Sequence, residues 1–280
     1  MLTSLPPIFQ RIIASTVVIG SLLFALFFSF TPYLSLIVPL LSILLFGAAL
    51  KEYYDIAKLK GFKPREKSAY SLTVAYILAI YLGSLSEHQD SLPLYALAIG
   101  LFVLFTAFFL DGENPLVNIA ITLFGIVYLI IPLSCTLQIN YFFPPDSAED
   151  GRWWVIYLLC TTYLTDTCAL FAGQAFGKHK LAPVISPKKT WEGAAGGLIA
   201  AIIVSLGFSL YAPITLNTVQ SIVLGTCIGA IAQVGDLAES LLKRDVGVKD
   251  SSKIPGLGGM LDVVDSLVFT APLLYLYLKS

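Results

Sequence analysis

Long apolar runs decide what this chain can fold into. A membrane span takes roughly 20 consecutive apolar residues. Nine stretches qualify, at about 11–30, 33–50, 69–86, 92–110, 115–134, 153–172, 193–212, 218–242 and 262–278. Only 12% of the residues are charged and 57% are hydrophobic, against about 25% charged in a soluble domain. The fold class is therefore all-α: a polytopic integral membrane helical bundle of about nine transmembrane helices. Arg11 is the one early basic residue, and no small-residue cleavage site stands out after the first run, which reads as a retained span. No polar stretch is long enough for a separate soluble domain. Cys135, Cys160, Cys168 and Cys227 lie in or near apolar runs without metal-type spacing, so they read as packing residues and imply no disulfide framework. The net charge of -1 singles out no partner class, and nucleic acid is not expected.

Basic residues mark the cytoplasmic side of a membrane protein. The loop 51–68 carries six Lys/Arg, the loop 173–192 four Lys, and the loop 243–261 three Lys and Arg244. With nine spans and the N-terminus inside, 15 of the 17 basic residues fall on the inner face, and only Arg152 and Lys279 lie outside. The expected location is the inner (cytoplasmic) membrane, with the polar loops facing the cytoplasm. The first five runs hold no internal charge, so residues 1–150 read as a transmembrane scaffold, and 151–280 carry the chemistry. The absence of an evident internal repeat weighs against an inverted-repeat transporter.

Two polar constellations interrupt this pattern. The first is 233–265, QVGDLAESLLKRDVGVKDSSKIPGLGGMLDVVD, with six of the eighteen carboxylates and four of the seventeen basic side chains. On a helix, Asp236, Glu239, Ser240 and Lys243 share one face, and Asp262 and Asp265 share another. Between them lies Pro255-Gly256-Leu257-Gly258-Gly259, where glycine lets backbone N–H groups approach an anion. Acidic pairs at two helix ends suit a hard divalent cation with oxygen ligands, and Lys and Arg suit phosphate oxygens. Each feature alone has a plain explanation, since juxtamembrane charges are often solvated anchors and Gly-Gly is often a turn. Their coincidence within 33 positions points to a metal–polyphosphate site.

The second constellation is 161–193. Asp166 sits inside the sixth run, where a carboxylate is a functional candidate or a partner for Thr162 or Thr165. Lys188 and Lys189 precede a helix start, whose partial positive charge adds to theirs in favouring an anion. Trp191 suits an interface. Lys178, His179 and Lys180 read as interfacial charges of the inner face and not as catalytic groups.

These stretches resemble the phosphatidate cytidylyltransferase (CDP-diacylglycerol synthase) family. The matching residues are Asp166-Thr167, Ala172-Gly173, Gly177-Lys178-His179-Lys180 and SPKKTWEG at 186–193, then Gly235-Asp236-Leu237 with Glu239-Ser240. Lys243-Arg244, Lys249-Asp250-Ser251, Pro255-Gly256, Gly258-Gly259, Asp262 and Asp265-Ser266 continue the pattern. The motifs cover roughly 155–270, whereas the first 150 residues match in hydropathy alone. Three departures stand out: Leu257 where the family usually has His, Val263 where it usually has Arg, and a loop between Lys249-Asp250 and Pro255 one residue shorter than the usual pattern. The His would be a phosphate donor or acid/base, and the Arg a phosphate fork.

The resemblance implies transfer of a cytidylyl group from CTP to phosphatidate, giving CDP-diacylglycerol and pyrophosphate for phospholipid biosynthesis. It implies Mg2+, with or without a second cation, membrane lipids as surroundings, and a homodimer. On this basis Asp236, Lys243, Arg244, Lys249, Asp250, Asp262 and Asp265 are the expected catalytic residues. Lys188, Lys189, Thr190, Glu192, Ser240, Ser251, Gly256, Gly258 and Gly259 are the expected nucleotide-binding residues. Asp236, Glu239, Asp262, Asp265 and Asp166 are the expected metal ligands. The competing readings are an ion-coupled secondary transporter using Asp166, Asp236 and Glu239, a CTP-dependent polyprenol or phytol kinase, and a non-catalytic scaffold.

Overall fold

The computed structural model describes residues 26–31, 34–86, 91–144, 147–248 and 259–280, with no side-chain description at 110 and 111. Eight long helices follow the expected runs: α1 (Ile37–Leu59), α2 (Glu66–Ser84), α3 (Ser91–Asp111), α4 (Pro115–Asn140), α5 (Gly151–Phe176), α6 (Trp191–Tyr211), α7 (Thr218–Asp245) and α8 (Met260–Lys279). All but α2 are long and apolar enough to cross a membrane. Glu66, Lys67, Ser68 and Ser71 dilute the first turns of α2. The expected run at 11–30 lies almost wholly outside the described residues.

Two loops expected from sequence are partly regular. The stretch 51–68 is helical as far as Leu59, because α1 carries its polar end beyond the apolar run. There Lys58 pairs with Asp55 at 2.8 Å and with Glu66 at 2.5 Å. Between α5 and α6 the chain forms an antiparallel hairpin, β1 (Lys180–Ala182) and β2 (Ser186–Thr190), with Lys180 opposite Thr190. It is the one sheet among the described residues.

The chain divides into two compact units. The first comprises 1–137 and 250–263, and the second 138–249 and 264–280. Among the described residues, 259–263 group with the first unit. In the first unit α1 is pinned to α4. Tyr53 Oη donates to the Ile121 carbonyl at 3.2 Å, and Tyr54 Oη to the Thr122 carbonyl at 2.8 Å. Gly125 permits this packing, since a Cβ there would lie 2.8 Å from Leu50 Cδ1. Polar side chains of α4 also hold the α1–α2 connection. The Lys63 N–H donates to Asn118 Oδ1 at 2.9 Å, and the Arg65 N–H to Thr122 Oγ1 at 3.0 Å. Pro132 removes one donor from the α4 ladder, and the helix widens to a π-helical stretch, Ile126–Ile130, just before it.

In the second unit α5, α6 and α7 meet through small residues, as expected where lipid offers no hydrophobic drive and close backbone approach must supply the packing. A Cβ on Gly197 would lie 2.9 Å from the Thr165 carbonyl, and one on Gly229 2.7 Å from Ala201 Cβ. Some buried hydroxyls bond across the bundle. Ser205 Oγ donates to the Ser221 carbonyl at 2.7 Å and lies 2.8 Å from Tyr157 Oη. Outward faces are apolar: Phe171, Ile203 and Leu210 are exposed. Such faces suit acyl chains and would be liabilities in water. Local caps set the helix starts. Asn217 and Gln220 form a reciprocal capping box at α7, and Gly247, at φ 76°, closes the far end of that helix.

Candidate active site

The site of the second unit is built around the start of α6. Thr190 is its N-cap: the buried Oγ1 accepts the Gly193 N–H at 3.2 Å, one of the donors a helix start leaves unpaired. Glu192 folds back on the hairpin, accepting the N–H groups of Lys178 at 3.1 Å and of His179 at 3.2 Å, and pairing with His179 Nδ1 at 2.6 Å. The Trp191 N–H donates to the His179 carbonyl at 3.0 Å. This clasp holds β2, and with it Lys188 and Lys189, against the helix.

Lys189 Nζ lies 2.8 Å from Asp236 Oδ2 on α7 and 3.4 Å from the Gln233 carbonyl. Asp236 also accepts from Ser240 Oγ, one turn on, at 3.4 Å. The Gln233 amide donates to the Ala194 carbonyl of α6 at 3.2 Å and to the Gly229 carbonyl at 3.0 Å, so it couples α7 to α6. Around these groups is a cavity of about 510 Å3, within the range of about 300–1,000 Å3 typical of small-molecule sites. Asp166, Gly173, Gln174, Lys180, Lys188, Lys189, Thr190, Gly193, Gln233 and Asp236 line it. Three lysines face two carboxylates, a net charge of +1 suited to an anion. Gly193 is required by proximity, since a Cβ there would lie 2.7 Å from the Ala169 carbonyl.

Asp265 joins from α8. It is 7% exposed, and its Oδ1 accepts the Ser266 N–H at 2.6 Å. Ser266 Oγ donates to Asp166 Oδ2 at 2.8 Å, so one serine links the two carboxylates. Asp265 also feels the like charges of Asp236, Glu239 and Asp166. α7 reaches α8 closely because a Cβ on Gly235 would stand 2.7 Å from the Asp265 carbonyl.

Other expected residues stand in local roles. Glu239 is buried, with its side chain 2.5 Å from Lys243 Nζ one turn on. Arg244 donates from Nε to the Ile185 carbonyl at 3.2 Å, tying the end of α7 to the hairpin. In the first unit, Asp262 Oδ2 accepts the Gly259 N–H at 3.0 Å, so a carboxylate of the chain itself holds that amide. Lys249, Asp250, Ser251, Gly256 and Gly258 lie outside the described residues.

Sequence reasoning missed Gln174, Gln233 and the part of Lys180. Gln233 had a signal, being an amide at the end of an apolar run and three residues before Asp236 on the same face. Lys180 was set aside as an interfacial charge, but the register of the hairpin places it opposite Thr190 and in the cavity wall. Gln174 had no distinguishing signal. The acidic donors are all oxygens, the kind Mg2+ takes. Among the described residues no group of three or more His, Cys, Asp and Glu could by itself hold a metal ion. That is compatible with Mg2+, which is commonly held by one or two carboxylates with substrate phosphates and water completing its shell.

Comparison with known proteins places the chain. A family model described as the cytidylyltransferase family matches residues 9–280. A phosphatidate cytidylyltransferase of Chlamydia trachomatis serovar D is 33% identical over 279 residues, covering 95% of this chain and 91% of that protein. One of Haemophilus influenzae is 34% identical over 284 residues, covering 94% and 96%. An uncharacterized protein of Escherichia coli K12, YnbB, is 41% identical over 138 residues, about half of each chain. With the match running nearly end to end, and with the cationic cavity between α5, α6 and α7, this chain is a nucleotidyltransferase that belongs to the cytidylyltransferase family.

Proposed function

We propose that this protein transfers the cytidylyl group of CTP to phosphatidate, giving CDP-diacylglycerol and pyrophosphate, at the cytoplasmic face of the inner membrane. The observation that carries this reading is the cavity in which Lys189 is held on Asp236 at 2.8 Å, with Lys180 and Lys188 in the same wall. The near full-length relatives named phosphatidate cytidylyltransferase support the choice of substrates.

The chemistry asks little beyond charge control and positioning. A phosphate oxygen of phosphatidate, already anionic at neutral pH, attacks the α-phosphorus of CTP. The bond from that phosphorus to the oxygen bridging the β-phosphate breaks, and pyrophosphate leaves with the electron pair. No proton has to be removed from the nucleophile. Lys180, Lys188 and Lys189 offset the repulsion between the two anions and hold the triphosphate. Asp236, with Ser240 behind it, aims Lys189, while Thr190 and Glu192 fix the strand that carries the lysines. Mg2+, held by Asp236 with Asp166 and Asp265, would add neutralising charge on the phosphates. Exposed Leu170 in the cavity wall gives the acyl chains an apolar side from which to approach.

The test uses purified protein with α-labelled CTP and phosphatidate vesicles, with and without Mg2+. Label in CDP-lipid together with released pyrophosphate is the expected result, and both stop when Mg2+ is chelated. Release of CDP in place of pyrophosphate would make the protein a kinase. No CTP consumption, with substrate-coupled flux in sealed vesicles, would make it a transporter.

A further inference from the structure

α6 and α7 are held together in two different ways along their length. Away from the cavity the contact is made by glycine: a Cβ on Gly225 would lie 2.8 Å from Ser205 Cβ, and one on Gly229 2.7 Å from Ala201 Cβ. At the cavity a long side chain takes over. Gln233, 9% exposed, donates from Nε2 to the Ala194 carbonyl of α6 at 3.2 Å and to the Gly229 carbonyl of its own helix at 3.0 Å. Both partners are carbonyls, which only accept. Turning the amide over would set its oxygen against two carbonyl oxygens, so its orientation is fixed.

The backbone of the same residue meets the lysine of the site. The Gln233 carbonyl is 3.4 Å from Lys189 Nζ, whose other partner is Asp236 Oδ2 at 2.8 Å. Lys189 stands just before the Thr190 cap, and Ala194 is on the first turn of α6 after it. These links close a ring that runs from Lys189 through the cap to Ala194, across the Gln233 amide to α7, and back to Lys189. In such a ring the spacing of the two helices decides where the ammonium group sits. Lys180 and Lys188, in the same cavity wall, are exposed, whereas Lys189 is half-buried and held. A lysine that must be ordered as its ligand arrives gives up part of its affinity to lost side-chain freedom. Lys189 is ordered in advance.

We propose that Gln233 is a positioning residue for nucleotide binding: its amide fixes the spacing of α6 and α7 at the cavity and so holds Lys189 where the triphosphate arrives. This rests on the reading of the cavity as a CTP site given above. The loss of one or two such hydrogen bonds corresponds to about a 2–10-fold change in an equilibrium constant.

The test uses the full chain in detergent, with the parent, Gln233→Met, Lys189→Gln and the double variant. Gln233→Met keeps the length and bulk of the side chain and removes its amide. Thr226→Ala, at an exposed position of the same helix, is the control. Labelled CTP binding by equilibrium dialysis is measured together with kcat and the KM for CTP. In Gln233→Met, CTP binds about 2–10-fold more weakly and its KM rises by a similar factor, with kcat little changed. In the Lys189→Gln background the same substitution has no further effect on CTP affinity, because Gln233 acts through Lys189. Thr226→Ala matches the parent. If Gln233→Met does not fold, Gln233→Asn, which keeps an amide one carbon too short to span the gap, takes its place. Unchanged CTP affinity, additive losses in the double variant, or a fall in kcat alone overturns the proposal. Should the parent bind CTP but make no CDP-lipid, cytidylyl transfer fails on its own and the binding cycle still judges Gln233. Should it bind no CTP, both fail.

Discussion

Asp236 is the residue on which the site turns. It is half-buried, on a helix that crosses the second unit, and its charge is matched by Lys189 at 2.8 Å. A hydrogen bond between charged groups contributes roughly 1.5–3 kcal/mol, which corresponds to about a 10–100-fold change in rate or affinity. Asp236→Asn removes the carboxylate that aims Lys189 and offers oxygen to a cation. CDP-lipid formation should fall by about 100-fold or more with the protein still inserted and monodisperse, as read by labelled-CTP turnover and size exclusion. Lys189→Gln should instead raise the KM for CTP by about 10-fold, because the lost cation acts on the triphosphate. Equal effects of the two substitutions on kcat alone would separate Lys189 from nucleotide binding.

At the scale of elements, the glycines of α6 do opposite things depending on what they face. Gly197 is pressed on α5, where a Cβ would meet the Thr165 carbonyl at 2.9 Å, whereas nothing lies within 4 Å of a Cβ on Gly207. Gly197→Leu should therefore cost about 1–3 kcal/mol through overpacking, and Gly207→Ala should be neutral or stabilising by about 0.5–1 kcal/mol through helix propensity. Thermal unfolding in detergent distinguishes them. A loss of stability in both would mean that the interface is not what selects glycine. The cap is separable from both: Thr190→Ala should cost about 1 kcal/mol and also loosen β2, because Thr190 ends the strand that bears Lys188 and Lys189.

For the whole molecule, the inner-face excess of Lys and Arg predicts orientation. In a background without the four native cysteines, Lys178→Cys on the hairpin side should be shielded from an impermeant thiol reagent in intact cells. Ser147→Cys, between α4 and α5, should be labelled. The reverse pattern would invert the topology and place the nucleotide site on the wrong face for CTP.

How much of this was legible in sequence differs by level. The helices were, because an apolar run of span length has few other ways to satisfy its backbone in lipid, and α1 to α8 follow the expected runs closely. Asp166 and Asp236 were legible because charge inside such runs is costly enough to need a reason, and Lys188 and Lys189 because they precede a helix start; Lys180 was not. What the eye could not take from one dimension was pairing. That Ser266 links Asp265 to Asp166, that Gln233 couples two helices, and that Glu52 meets a helix start 208 residues away all depend on contacts between distant segments. Local periodicity decides which face a side chain occupies, but the neighbour it meets there is chosen by how the helices pack.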